Sequence, residues 1–177
     1  MRILKLYILT GLIGILSCRE NVQRYPADQL PIEKRKQEAL VKINNYVVKR
    51  NQELIGQFVK RTGLNLIQTG SGLWYGIQTA GTGKPATLGE NVEISYTLKL
   101  LDGTLIDSII ASNPKVFTVG KGEVEAGLDE GILLLHKGDH AWFIIPPHLA
   151  YGNFGDQKKI PPGAFLFYDL FLRDIKP

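Results

Sequence analysis

Hydrophobic positions recur along this chain with two different periods, and the change from one to the other divides it. Residues 32–61 contain no proline, and Leu40, Ile43, Val47, Leu54 and Phe58 fall at separations of three, four and seven. That spacing predicts an amphipathic α-helix over residues 32–62 with one apolar stripe, and Pro31 suits its first turn, where a missing N–H costs nothing. Beyond the Gly70-Ser71-Gly72 hinge the period becomes two. In residues 92–100, Val92, Ile94, Tyr96, Leu98 and Leu100 alternate with Glu93, Ser95, Thr97 and Lys99, which predicts a strand with one wet face. Residues 73–78 and 116–119 read as shorter strands, and Asp102-Gly103 as a tight turn leading into an extended piece at 104–107. Leu128, Ile132 and Leu135 give residues 125–135 a helical spacing that stops before Gly138. One short helix among antiparallel strands predicts an α+β domain, its sheet bent around that helix and the long helix preceding it.

Two segments break the alternation. Residues 141–145 and 164–172 are apolar at nearly every position. If Ala141, Phe143, Ile145, Leu166 and Tyr168 face the core, then Trp142, Ile144, Phe165, Phe167 and Phe171 face outward. A strand apolar on both faces implies cover on both or an exposed interaction site. The helix at 32–61 is the candidate cover, from this chain or from a second copy. The alternative is that the outward aromatics shield one another under loops.

Composition sharpens this picture in three ways. With 177 residues, 44% hydrophobic, the chain can bury one core and little more. Its single Cys excludes an internal disulfide framework and a multi-Cys zinc site. The formal net charge of +4 is concentrated outside the domain: residues 32–61 carry eight Lys/Arg against Glu33, Glu38 and Glu53. Nucleic-acid binding, which requires a basic face on the folded domain, is therefore not expected. Basic side chains of the helix would suit anionic lipid headgroups or a solvated face.

At the start of the chain, Arg2 and Lys5 flank an apolar run at residues 6–16 that is too short to cross a hydrocarbon core of about 30 Å and has the layout of a secretory signal peptide. The run closes Ile15-Leu16-Ser17-Cys18, which resembles a bacterial lipoprotein lipobox. That resemblance implies a removed signal at 1–17, diacylglycerol on Cys18, a new amino terminus acylated with a palmitate-type chain, and a lipidated tether at 18–31. Several acyl chains hold far more durably than one, because each buried CH₂ contributes about 0.8 kcal/mol. The expected location is the bacterial envelope, facing the periplasm, and Arg19 in place of an acid after Cys18 favours the outer membrane.

Five strings carry a second resemblance: SGLWYGIQTAGTG, GENVEISYTLKLLDGTLIDS, FTVGKGEVEAGLDEGI, KGDHAWFIIPPHLAYG and IPPGAFLFYDLFL. In this order and at these spacings they resemble the FKBP-type peptidyl-prolyl isomerases, across a domain at residues 71–177. The resemblance implies an antiparallel half-barrel of five or six strands wrapped round a short helix, with the active pocket between them. It implies rotamase activity on Xaa-Pro segments of unfolded or partly folded exported proteins, with no metal and no cofactor. By position, it makes Tyr96 a pocket wall, Asp107 the acid orienting substrate, and Tyr151 the hydroxyl that donates to a substrate carbonyl. Ile106, Val124, Leu128, Ile160 and Tyr168 match lining positions, and the backbone N–H of Glu125 matches a substrate-binding donor. Several periplasmic members dimerise through N-terminal helices, so a homodimer through residues 32–62 is one expectation and packing in cis the other. The plan of anchor, helix and domain also resembles gliding-motility-associated lipoproteins.

Departures from the family pattern matter. Ile106 stands where Phe is common, Leu128 where Trp or Leu lies under the proline ring, and Tyr168 where Phe is usual; the aromatic expected after Pro114 is missing. A less aromatic pocket predicts low turnover and poor binding of the family's macrolide inhibitors. The rival reading is an FKBP-fold binding or assembly module, or a chaperone, with little or no turnover. Two other constellations carry less. His136 and His140 flank a turn instead of sharing a helical face, and Gly81-Thr82-Gly83-Lys84 lacks the full phosphate-loop spacing.

Overall fold

The computed structural model describes residues 31–177. The signal segment at 1–17, the Cys18 acceptor and nearly all of the tether at 18–31 lie outside the described residues. The chain divides between Val48 and Lys49 into two units, and helix α1 (Ile32–Thr62) crosses that division. Its start follows from the sequence, with Arg35 N–H donating to Pro31 O at 3.0 Å and Glu33 in the first turn. At its end Lys60 and Arg61 suit the negative pole of the helix, and Gly63, at φ 69°, closes it by donating to Val59 O. In the first unit every described residue up to Val48 is exposed, including Leu40, Ile43 and Val47 of the predicted stripe. No helix among the described residues is long and apolar enough to cross a membrane.

In the second unit, strands β1 (Ile67–Gln68), β2 (Trp74–Thr79), β3 (Asn91–Leu100), β4 (Leu105–Ile109), β5 (Lys115–Thr118), β6 (His140–Ile145) and β7 (Leu166–Lys176) form one sheet in the order β1-β2-β6-β7-β3-β4. Every pairing is antiparallel, and β5 shares the outer edge of β3 with β4. The sheet therefore has seven strands, not five or six. The two-residue β1 carries too short a pattern to be read from sequence. Alternation in β3 holds through Leu98: Val92, Ile94, Tyr96 and Leu98 are buried, Glu93, Ser95 and Thr97 half-exposed and Lys99 exposed, while Leu100 is only half-buried. Helix α2 (Ala126–Ile132) is shorter than the 125–135 expected. Leu133, Leu134 and Leu135 continue as tight i→i−3 turns, and Leu135 still reaches the core.

Core formation explains the bend. Leu128 and Ile132 of α2 are fully buried against Leu73, Val92, Ile94, Ala141, Phe143, Ile145, Leu166, Tyr168 and Leu170. Two glycines let the helix approach: a Cβ on Gly127 would fall 2.4 Å from Ile145 Cγ2, and one on Gly131 2.9 Å from the Phe143 ring. The sheet's other face is apolar at one end, and there the last turns of α1 cover it. Ile55 and Phe58 are buried with Ile144 and Phe165, and the Phe58 and Phe167 rings lie 4.9 Å apart. Packing in cis thus accounts for the doubly apolar strands, but through residues 49–62 only. The buried face is Ile55 and Phe58, while Leu54 stays 40% exposed. Trp142 and Phe171 are also outside this cluster, Trp142 half-buried and Phe171 36% exposed with its ring at a steep angle to that of His140.

Substituting helix glycines by alanine separates propensity from packing. Gly56 in α1 has nothing within 4 Å of its would-be Cβ, so Gly56→Ala is expected to raise stability by about 1 kcal/mol. Gly127→Ala and Gly131→Ala, which gain the same propensity, are expected to lose about 1–3 kcal/mol through overpacking. Urea unfolding of the three variants checks both signs.

Candidate active site

The concave side of the sheet, where α2 stops short of covering it, holds three tyrosines and two carboxylates over an apolar floor. Tyr96 comes from β3, Asp107 from β4, Glu125 from the residue just before α2, Tyr151 from the loop after β6, and Tyr168 from β7. The Tyr96 and Tyr168 rings meet edge to face with centroids 5.1 Å apart. Ile106, Leu128 and Ile160 are buried in the same cluster, and Val124, Leu149 and Ala150 pack on its margin.

Hydrogen bonds fix the polar rim. Tyr96 Oη donates to Asp107 Oδ2 at 2.8 Å, and Asp107 Oδ1 accepts the Ser108 N–H at 2.8 Å. Tyr151 Oη donates to Glu125 Oε1 at 2.6 Å. Tyr168 Oη lies 3.3 Å from each oxygen of the same carboxylate. Burial raises the pKa of all three phenols; next in effect come Asp107 for Tyr96 and Glu125 for Tyr151 and Tyr168. All three hydroxyls therefore remain protonated donors at neutral pH.

The loop at 152–163 forms the remaining wall, and its shape is set by Asp156. Its Oδ1 accepts the Lys158 N–H at 2.9 Å and the Ile160 N–H at 2.7 Å. Gly155, at φ 66°, lets the backbone fold back so closely that a Cβ there would lie 2.1 Å from Ile160 O. Lys159 Nζ then donates to Ile106 O at 3.1 Å, joining the loop to edge strand β4. Lys159 and Asp107 thus cap successive outward groups of that edge, Ile106 O and Ser108 N–H, where an uncapped edge would invite pairing with another chain.

The arrangement is an apolar floor ringed by hydroxyl donors and acceptors, suited to enclosing an apolar ring while holding a peptide carbonyl. A family model described as FKBP-type peptidyl-prolyl cis-trans isomerase matches residues 82–173. The chain belongs to that family. Among curated relatives, a probable FKBP-type isomerase FkpA of Neisseria meningitidis is 38% identical over 126 residues, 70% of this chain and 46% of the relative. A probable FKBP-type isomerase of Haemophilus influenzae is 35% identical over 116 residues, 65% of this chain and 47% of the relative. The chain thus spans about half the length of these relatives. The crystal structure of FkpA from Escherichia coli superposes with TM-score 0.64 at 28% identity, covering 82% of this chain and 68% of that one.

Every residue placed at the pocket by resemblance to FKBP domains lies in this one cluster or on its rim. Tyr151, 37% exposed, and Asp107, also exposed, stand on the rim. What the sequence reading missed is the Glu125 side chain, for which only the backbone N–H was considered. The signal was Tyr168: a hydroxyl at a buried position requires an acceptor. The contributions of Asp156 and Lys159 depend on loop geometry that no periodicity encodes. His136 and His140 diverge, the first toward Asp139 and the second donating to or accepting from Asp169 at 2.6 Å. Lys84, in the loop that faintly resembled a phosphate site, pairs with Glu90. A second open groove of about 340 Å³, lined by Ser95, Thr97, Ser108, His140, Asp169 and Phe171 among others, also includes Tyr96 in its lining.

Backbone hydrogen bonds, that from Ile160 foremost, hold the Asp156 carboxyl below its ordinary pKa of 3.8. Its grip on the loop is therefore complete above about pH 4 and is lost as pH falls through the lowered value. Asp156→Ala is expected to speed amide exchange of Lys158 and Ile160 about tenfold or more at neutral pH. Exchange in the unaltered chain should quicken only on strong acidification, which hydrogen-exchange NMR would register.

Proposed function

We propose that this chain is a peptidyl-prolyl cis/trans isomerase acting on Xaa-Pro segments of exported or envelope proteins. The observation carrying this reading is the Tyr96, Tyr151 and Tyr168 ring of protonated donors above the buried Leu128 and Ile160 floor. An Xaa-Pro bond interconverts in tens to hundreds of seconds across a barrier near about 20 kcal/mol. Amide resonance, which separates charge, creates that barrier, so the twisted transition state is less polar than the planar ground state. A water-excluding apolar floor favours the twisted form, and rim hydrogen bonds hold the chain while it turns. Tyr151 donates to the substrate carbonyl, exchanging its Glu125 acceptor, and Asp107 orients the segment with Tyr96. Ile106, Val124 and Tyr168 complete the wall, and the Glu125 N–H supplies a further donor.

The lipobox at Ile15-Leu16-Ser17-Cys18 supports an anchor at Cys18 and a periplasm-facing position, in the outer membrane by the Arg19 criterion. Resemblance to gliding-motility lipoproteins supports clients among envelope machinery of that kind. The alternative, an FKBP-fold binding or assembly module with little turnover, draws on Tyr151, whose hydroxyl is already engaged by Glu125 at 2.6 Å.

Isomerisation of short Xaa-Pro peptides by the purified chain, followed by NMR exchange, tests the choice. Acceleration is expected, with Asp107→Ala and Tyr151→Phe each lowering kcat/KM about tenfold, the worth of one strong hydrogen bond. No acceleration by folded protein would leave the binding module.

A homodimer is proposed through α1, on the observation that Leu40, Ile43, Val47 and Leu54 form a stripe 40–61% exposed at coiled-coil-like spacing. Sedimentation should give twice the chain mass, and Ile43→Glu combined with Val47→Glu should halve it; a monomeric unaltered chain would refute this.

A further inference from the structure

We infer that the Glu125 carboxylate makes this pocket select Xaa-Pro sites in which the residue before proline is Lys or Arg. The inference rests on the isomerase reading and adds a substrate class to it.

Glu125 occupies the N-cap position of α2, yet its side chain makes no capping hydrogen bond. A side chain at that position ordinarily satisfies free N–H groups of the first turn. This one instead turns into the pocket, where it accepts from Tyr151 and approaches Tyr168. Its two oxygens offer about four acceptor directions, so capacity remains for a donor brought by the substrate. Asp107 stands at the same rim, tied through Tyr96 to the ring that Tyr168 touches.

The balance of charge around these two acids is one-sided. Among the described residues, neither Glu125 nor Asp107 forms an ion pair with Lys, Arg or His. Lys159 is the basic side chain bonded to the pocket wall, and its ammonium is directed to the Ile106 carbonyl. The charged groups that chiefly raise the pKa of the three phenols are acids: Asp107 and Glu125 for Tyr96; Glu125, Asp156 and Asp107 for Tyr151; Glu125 for Tyr168. The rim is thus electronegative where the residue preceding proline must sit, one peptide unit from the enclosed ring. A cationic side chain there gains attraction and a charge-assisted hydrogen bond; an acidic one meets like charge. An apolar side chain gains neither.

The experiment compares otherwise identical blocked peptides with Lys, Leu or Glu before proline, using the full chain and protease-free NMR exchange. Dissociation constants of the same peptides are measured from chemical-shift titration. The expected order is Lys, then Leu, then Glu, with kcat/KM for Lys at least about fivefold above Glu, the ratio that one unit-charge contact gives even under water-like screening. Raising salt to about 1 M, where the Debye length is about 3 Å, should shrink the ratio toward one. Glu125→Gln, which keeps shape and acceptor, should shrink it at low salt whatever it does to the absolute rate. A Lys/Glu ratio near one in the unaltered chain would overturn the inference, as would a ratio that Glu125→Gln leaves unchanged. Should no peptide be turned over, the isomerase reading fails, and the Lys/Glu ratio of dissociation constants still decides the selectivity.

Discussion

The site depends on how closely α2 lies against the sheet. With side chains at positions 127 and 131, Ile145 and the Phe143 ring would have to give way, and Leu128 would be lifted from the floor it forms. Because the helix rests on the sheet through glycine, Leu128 and Ile132 reach full burial within seven residues. The helix is then too short to cover the concave face from end to end. What it leaves open is the space that Tyr96, Tyr151 and Tyr168 ring. An isolated helix of this length is unstable in water, so α2 exists because of its packing, and the pocket exists because α2 ends.

Much of this was legible in the sequence, and the parts that were not share a cause. Alternation in residues 92–100 marked β3 and its buried face, because a period of two records burial on one side directly. Doubly apolar strands at 141–145 and 164–172 announced a covered outer face, and Ile55 and Phe58 of α1 cover it. Of the apolar stripe read from the helix, Phe58 lies in that cover beside Ile55, which the stripe did not include, while Leu40, Ile43, Val47 and Leu54 are exposed. Five family strings in register pointed to residues that the structure brings together in one cluster or on its rim, but position matching transfers only roles that are common to a family. Glu125 is where that method ends. The string GEVEAGLDEG gave a backbone donor, and only the structure shows the carboxylate turned inward to meet the hydroxyl of Tyr168.

That meeting accounts for one departure from the family pattern, the tyrosine at 168. A tyrosine at 168 with an apolar residue at 125 would bury a hydroxyl without an acceptor, at a cost of about 1–3 kcal/mol. A glutamate at 125 with a phenylalanine at 168 would lose one of its two donors. Each residue is unfavourable without the other, and together they convert part of an apolar wall into a hydrogen-bonded one. Tyr151 then has two alternative acceptors, Glu125 and an incoming carbonyl. On the proposed reading, substrate binding exchanges one hydrogen bond for another instead of adding one, so affinity should come chiefly from the ring on the floor and from charge at the rim.

The wall opposite Glu125 couples the site to protection of the sheet edge. Strand β4 pairs with β3 on one side only, and its outward groups would otherwise be free to recruit another extended chain. Asp107 closes one of them with the carboxylate that also receives Tyr96, and Lys159 closes the next while holding the 152–163 loop against Ile106. On the proposed isomerase reading the substrates are unfolded chains, and a protein that handles them meets extended segments more than most. On that reading, capping the edge with the residues that build the pocket would favour the floor between α2 and β7 over strand addition beside it. The same two side chains therefore shape the pocket and keep the strand next to it from competing with the pocket for the chain.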